Sequence, residues 1–312
     1  MFRYILKRLL LMIPIVLGVS LIIFTILAIT PGDPGSIILG SGASQAEIDA
    51  LNHELGYDLP FFVRYFNYMK DAVRLDFGTS YITKQSIAQT LLIKAPISLR
   101  VAFNAILCAA ILGIPIGVLS AVKQYSLLDT LPTSISIFLA AVPAFWLGLM
   151  LMLLFSVKLG WFPTSGVESW KGYVLPMLTL GLPYAAQQMR FTRSSMLETI
   201  RQDYIRTARA KGQTERAIIW GHAMKNALMP VITIIGVNFG ALLGGAVVTE
   251  TLFTIPGLGS YIVTGIKQKD LPVVMGGTIV LAILFSFVML AVDLLYALVD
   301  PRIKAKYAKG GK

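Results

Sequence analysis

The chain has 312 residues, of which 56% are hydrophobic and 14% are charged, and its formal net charge is +11. This composition is too apolar for a soluble globular protein and the chain is too long for a single membrane anchor, so a membrane protein with several spans is predicted. The basic residues stand in short segments between apolar runs, which argues against nucleic-acid binding, and the single cysteine excludes an intrachain disulfide or a thiolate metal cluster.

Six apolar runs are long enough to cross a bilayer, whose hydrocarbon core of about 30 Å needs about 20 helical residues. Basic residues before the first run favour a cytoplasmic N-terminus, and six crossings return the basic tail, residues 301–312, to the same side. We therefore expect an all-α protein with six transmembrane helices in a cell membrane, with both termini in the cytoplasm. The runs are approximately Leu9–Thr30, Ile97–Val122, Leu131–Val157, Tyr173–Met196, Met229–Phe253 and Val274–Val299.

Residues 1–96 combine the first run with the one long segment expected outside the cytoplasm. Ser44 and Glu47 have the spacing of a capping box, and Gly56 is suited to ending the helix that they begin. A second helix is predicted to start at Pro60. Its apolar face indicates packing on the ends of the spans, burial in the membrane interface, or contact with substrate. The residues of this face are Phe62, Phe66, Met69 and Val73.

The basic segment between the fourth and fifth runs, residues 197–228, is patterned as two helices joined by a tight turn. Asp203 is suited to capping the start of the first helix, and Gly212 to ending it in the left-handed conformation. Thr214 offers a second N-cap, and Pro230 marks the start of the next apolar run. The positive charge suits an acidic protein partner or anionic lipid headgroups, and the predicted topology puts the segment in the cytoplasm.

Polar and small residues within the later runs are candidates for a transport pathway. Proline and glycine interrupt most runs, which predicts helices that line or flex around a pathway. Gly236, Gly240 and Gly244 recur every fourth residue and predict close helix contact, either within the chain or with a second subunit. We expect Glu250 to border the outer mouth of the pathway, and we include Asn238 and Gly240 among its residues.

The sequence TARAKG, residues 207–212, is followed some fifteen residues later by NALMP, residues 226–230. This pattern resembles the EAA loop of ABC importer permeases, and the longer stretch YIRTARAKG is similar to the dipeptide, oligopeptide and nickel subfamily. The generic glutamate is Thr207 here, and the second alanine is Arg209. Similarity to the peptide permease B-type subunits extends over nearly the entire chain.

The resemblance implies a type I ABC importer permease fold, with a core domain over residues 97–300 and a coupling helix that sits in a cleft of an ATPase subunit. It implies three kinds of partner: a second permease subunit in a heterodimer, two ATP-binding subunits, and an extracytoplasmic substrate-binding protein. ATP and Mg²⁺ are expected in the ATPase subunits, and no cofactor is expected in this chain. The residues assigned to docking are Asp203, Tyr204, Arg206, Thr207, Ala208, Arg209, Ala210, Lys211, Gly212, Asn226 and Pro230.

Other functions fit the sequence less well. His53 and His222 fall on opposite sides of the predicted membrane and cannot share a metal, and no P-loop is present, so no catalytic or metal site is predicted. A gradient-driven transporter is the rival mechanism, but no inverted repeat is evident and a relay of buried carboxylates is missing. The expected substrate is a dipeptide or oligopeptide, with nickel or a metal chelate as the alternative, because both subfamilies share these loops.

Overall fold

The computed structural model describes residues 2–40 and 42–299, and over these residues the predicted all-α fold is confirmed. The predicted tail, residues 301–312, lies outside the described residues. The helices are α1 (Phe2–Ile29), α2 (Pro34–Leu39), α3 (Gln45–Glu54), α4 (Phe61–Val73), α5 (Ile87–Val122), α6 (Leu127–Ala141), α7 (Ala144–Leu151), α8 (Trp170–Ile200), α9 (Asp203–Ala210), α10 (Glu215–Ala217), α11 (Met224–Leu252), α12 (Leu258–Gln268) and α13 (Leu271–Val299). Two π-helical segments, Met152–Lys158 and Ile218–Ala223, follow α7 and precede α11.

By length and composition, four described helices could cross a membrane, and they match the first, second, fifth and sixth predicted runs. The third predicted run is broken: α6 and the helix Ala144–Lys158 meet at a bend of 106°. Val142 is extended at this break because the following Pro143 disfavours a helical conformation for the residue before it. If the bent pair is one span, the described chain contains up to five. The four helices are Ile5–Ile29, Ile87–Val122, Glu215–Leu252 and Leu271–Leu294.

The fourth predicted run lies in α8, which is helical but is not among the helices apolar enough to count as a span. Its polar residues Gln188 and Thr192 are each only 1% exposed, and the helix packs against α6, α7 and α11. A helix surrounded largely by protein can carry polar side chains that lipid would penalise. A helix is therefore present at every predicted run, but the count of six separate spans is not confirmed.

The described chain divides into two compact units, and one of them contains residues 2–99 and 256–287. The local signals predicted here are confirmed: Ser44 and Glu47 form the capping box, Gly56 has φ +66°, and α4 begins directly after Pro60. Tyr65 of α4 is buried against α1, where its hydroxyl lies 2.9 Å from the Ser20 hydroxyl. These contacts fix α4 to the first predicted span.

Most of the predicted apolar face of α4 does not pack on the core of this unit. Phe62, Phe66 and Val73 are exposed, so burial in the membrane interface and substrate contact remain predictions for them, whereas Met69 is half-buried against the core. Tyr65 and Ala72 are buried. The helix carries two neighbouring apolar stripes, and the periodicity alone does not choose between them. The Tyr65 hydroxyl decides the orientation, because it finds polar partners on α1.

The other unit is built mainly from residues 100–255. Of the predicted glycine ridge, Gly236 makes its close contact within the chain, since a Cβ added there would clash with the side chain of Val292. A Cβ on Gly244 would meet nothing within 4 Å. The ridge therefore serves internal packing at Gly236 and leaves open space at Gly244.

Candidate functional site

The segment predicted to dock on an ATPase forms a short helix, a turn and a second helix. Asp203 is not the N-cap of α9, as the sequence suggested; Gln202 takes that position with an extended backbone, and Asp203 is the first helical residue. The Asp203 carboxylate lies 3.8 Å from the Arg206 guanidinium. An acidic residue in the first turn is favourable because it complements the positive end of the helix dipole.

Gly212 ends α9 in the left-handed conformation, with φ +77°, as predicted. The Gly212 N–H donates to the carbonyl of Arg209 at 2.9 Å, and the Gln213 N–H donates to that of Ala208 at 3.3 Å. These two bonds form a Schellman motif, which satisfies carbonyl groups left free at a helix end. Thr214 then caps the next helix through its hydroxyl, which accepts from the Ala217 N–H, so the predicted second cap is confirmed.

Two side-chain contacts fix the geometry of the turn. Arg209 donates to Glu215 through Nε at 2.7 Å and Nη2 at 3.2 Å, a paired interaction that raises the pKa of Arg209. The His222 ring lies 2.7 Å from the Gln213 side chain. Glu215 was not predicted as a site residue, because a contact across a glycine turn follows no helical spacing.

Tyr204 and Asn226, both predicted site residues, are brought together by the turn. The Asn226 amide donates to the Tyr204 hydroxyl at 3.0 Å and to the carbonyl of His222 at 3.1 Å. Both side chains are exposed. This hydrogen bond joins the start of α9 to the start of α11.

The inner face of α9 is apolar and rests on the ends of α5 and α8. Ile205 is fully buried and Ala208 is 8% exposed, and both pack in a cluster with Met196 of α8. The sequence analysis assigned Ala208 to docking but overlooked Ile205, whose spacing of three residues from Ala208 was the available signal. The remaining buried members of the cluster are Val118, Ala121, Ile218, Ala223 and Ala227.

The outer face of α9 is exposed and mainly polar. Its cationic side chains are two arginines of α9 and Lys211 at the C-cap, and Arg209 among them is already paired with Glu215. Tyr204 is 43% exposed. A Cβ added to Gly212 would meet nothing within 4 Å, so the end of the helix is also open. The face suits a partner surface that combines acidic groups with an apolar contact. Its members are Asp203, Tyr204, Arg206, Thr207, Arg209, Ala210 and Lys211.

Pro230 lies inside α11 and does not mark its start, since the helix runs from Met224 to Leu252. Proline lacks the N–H that would bond to the carbonyl four residues earlier, that of Asn226. The π-helical turn Ile218–Ala223 comes just before α11, and such turns are frequent at functional sites. The chain is therefore helical from α10 into α11, but the helix is irregular at the π-helical turn and at Pro230.

The three candidate pathway residues are all buried in the described chain. Glu250 is fully buried, Asn238 is 5% exposed, and Gly240 is also buried. The Nδ2 atom of Asn238 has no hydrogen-bond partner among the described residues. Their assignment to a pathway remains a prediction.

Comparison with known proteins gives the family. A family model described as "Binding-protein-dependent transport system inner membrane component" matches residues 113–305, and a model of the N-terminal region of such components matches residues 1–102. The chain is 38% identical over 306 residues to the glutathione transport system permease protein GsiC of Escherichia coli, and equally to that of Salmonella typhimurium. These matches cover 98% of this chain and all of each relative.

Solved structures support the fold alone, because their sequence identity is low. An inward-facing structure of the MetNI methionine ABC transporter gives a TM-score of 0.55 at 19% identity, covering 68% of this chain and 97% of that one. A crystal structure of an amino acid ABC transporter with histidines gives a TM-score of 0.53 at 13% identity, and the match covers 69% of this chain and 94% of that one.

These matches identify the chain as a multi-pass membrane permease of an ABC importer and not as an enzyme. Such a component works with ATP-hydrolysing subunits and a substrate-binding protein. The chain belongs to the family of inner membrane components of binding-protein-dependent transport systems.

Proposed function

We propose that this permease imports glutathione or other short peptides. The observation that carries the proposal is the 38% identity to glutathione permeases over their whole length. This similarity favours a peptide over the nickel or metal-chelate alternative left open by the sequence. Substrate choice is expected to rest mainly with the substrate-binding protein, so the permease needs only a pathway that accepts varied side chains.

In this proposal α9 is the element that docks on an ATPase subunit. The exposed polar face of the helix enters a cleft of the ATPase, while Ile205 and Ala208 hold the opposite face on the ends of α5 and α8. ATP and Mg²⁺ bind to the ATPase subunits. Closure of those subunits on ATP displaces α9, and the bundle changes from an inward-facing to an outward-facing state.

The proposal includes a second homologous permease subunit, so that the pathway lies between two chains. The proposal also places both termini in the cytoplasm, an orientation that brings α9 to the side where ATP is available. The same orientation puts α2, α3 and α4 on the outer side, where the substrate-binding protein arrives.

The substrate is tested by uptake in cells that carry or lack this gene. Labelled glutathione, a labelled dipeptide and labelled nickel are supplied separately, with a complementing plasmid as the control. We expect deletion to abolish glutathione or dipeptide uptake, and complementation to restore it, while nickel uptake stays unchanged. Loss of nickel uptake alone would contradict the proposal and favour the metal alternative.

A further inference from the structure

The turn between α5 and α6 is organised around the carboxylate of Asp129. Asp129 is the third residue of α6 and is only 4% exposed. Its carboxylate accepts from the Ser120 hydroxyl at 2.5 Å and from the Tyr125 N–H at 2.9 Å. Tyr125 has φ +66°, a strained conformation for a residue with a side chain, and the bond to its N–H helps to hold it. The carboxylate thus fixes the shape of this turn.

Arg193 of α8 binds the same carboxylate with both arms of its guanidinium group. Its Nε lies 2.6 Å from Oδ1 of Asp129, and its Nη2 lies 2.8 Å from Oδ2. The Arg193 side chain is only 25% exposed. A two-point contact of this kind fixes both distance and orientation between its elements.

The same stretch of α8 holds α9. Met196, one helical turn beyond Arg193, is fully buried and packs in the cluster that contains Ile205 of α9. On its other side, α8 approaches α5 so closely that a Cβ on Gly117 would lie 2.7 Å from Cβ of Thr192. Residues 192–196 therefore contact α5, α6 and α9 within little more than one turn.

A buried ion pair is a weak source of stability, because removing two charges from water costs about as much as their attraction returns. An apolar contact would hold the α5–α6 turn on α8 with less specific orientation. The feature that distinguishes Asp129–Arg193 is its fixed geometry beside the cluster that supports α9.

We propose that the Asp129–Arg193 ion pair is a positioning element for coupling: it makes the α5–α6 turn and α8 move as one body when α9 is displaced. The inference rests on the proposed docking of α9. Apolar contacts at Met196 pass the displacement from α9 to α8. The ion pair carries it from α8 to the α5–α6 turn, so that α6 moves with the other helices.

The test uses the complete importer, reconstituted in lipid vesicles with its ATPase subunits and substrate-binding protein. Asp129→Asn and Arg193→Gln remove one charge each, Arg193→Lys keeps the charge but loses the two-point contact, and the exposed Arg190→Gln on the same helix is the matched control. ATP hydrolysis and peptide import are measured on the same vesicles. The readout is the number of ATP molecules hydrolysed per peptide imported.

We expect Asp129→Asn and Arg193→Gln to raise this ratio at least fivefold while most ATP hydrolysis is retained. Arg193→Lys should give an intermediate ratio, and Arg190→Gln should match the wild type. If hydrolysis and import fall together, in proportion to the amount of assembled complex, the pair serves folding alone and the proposal is wrong. If the charge-removing variants do not assemble, Arg193→Lys is the decisive variant, because it keeps the charge and loses the two-point contact. A wild-type ratio in assembled Arg193→Lys would then overturn the proposal.

A failure of the docking proposal would be visible separately. Arg206→Glu reverses a charge on the exposed face of α9 and lies outside the ion pair. If α9 docks, this variant loses co-purifying ATPase subunits. If the subunits still co-purify, the docking assignment fails whatever the ion-pair variants show.

Discussion

Gly212 is the residue on which the end of α9 depends most. Glycine adopts the φ of +77° found here at no cost, and a side-chain carbon added at this position would meet no other atom within 4 Å. A substitution there is therefore opposed by the backbone and not by a steric clash. The consequence is a specific change in the turn, without damage to the packing of α9.

We expect Gly212→Ala to destabilise the turn by about 1 to 2 kcal/mol, the cost of a side chain in the left-handed conformation. The loosened turn should raise ATP consumption per peptide imported, while the protein still inserts in the membrane. The control is Gly42→Ala, at a loop position with open space and no positive φ. Loss of insertion in Gly212→Ala would show that Gly212 serves folding.

Asp33 ties α2 to α3 and makes the stability of this pair of helices depend on pH. Its carboxylate accepts from the Ser36 N–H at 2.9 Å and from the Asn52 amide at 2.7 Å. These bonds, led by that from the Ser36 N–H, lower the pKa of Asp33 below its ordinary value of 3.8. A lowered pKa means that the carboxylate stabilises the fold above pH 3.8 and that this contribution is lost as the pH falls further.

Thermal unfolding of the wild type and Asp33→Asn between pH 3 and pH 7 tests this. The wild type should melt at a higher temperature at pH 7, and the difference should shrink below about pH 4 as Asp33 takes up a proton. A difference that stays constant over this range would show that the Asp33 charge does not contribute.

At the scale of elements, the support of α9 depends on a single large apolar side chain. Ile205 is fully buried, and its neighbours in the cluster include the small residues Ala121 and Ala223. Because Ile205 is fully enclosed, the surrounding side chains can relax only partly into a vacated space. Truncation of Ile205 is therefore expected to leave a cavity beneath the helix.

We expect Ile205→Ala to weaken the attachment of α9 by about 3 kcal/mol, from lost burial and the cavity together. The basic residues of α9 should then be cut faster by trypsin, because local opening exposes the backbone. Limited proteolysis in detergent measures this, with the exposed Thr207→Ala as the control on the same helix. Equal rates for the two variants would contradict the assigned support.

The sequence predicted those elements whose signals are local. Capping at Ser44, the left-handed end at Gly212 and the cap at Thr214 each depend on residues within a few positions. Contacts between distant segments were not predictable in this way: Asp129 and Arg193 are 64 residues apart, and nothing near either one indicates the other.

The other features that the sequence did not determine concern which side of a helix faces protein. α8 can be polar because it is buried among other helices. The hydropathy of a single segment does not reveal which helices will surround it. The orientation of α4 was likewise decided by partners of Tyr65 on α1, about 45 residues away in sequence. Periodicity thus identified the helices but not always the face that packs.

In the whole molecule, we propose that the short exposed helix α9 connects an ATP-hydrolysing subunit to the bundle of helices. The helix is held on one side by an apolar cluster and presents its polar side outward. Two links then extend from the same part of α8: the cluster that supports α9 and the ion pair to the α5–α6 turn. The family assignment implies the partners, and these two links are the route that we propose for the movement of the helices.

The most direct test of the central claim is photo-crosslinking in cells that express the complete importer. A photoreactive amino acid is placed at Arg206, on the exposed face of α9, or at Lys70, on an exposed position of α4. If α9 docks on the ATPase subunit, position 206 gives a crosslink to that subunit and position 70 gives none. No crosslink from position 206, or an equal crosslink from both positions, would contradict the docking of α9 on the ATPase.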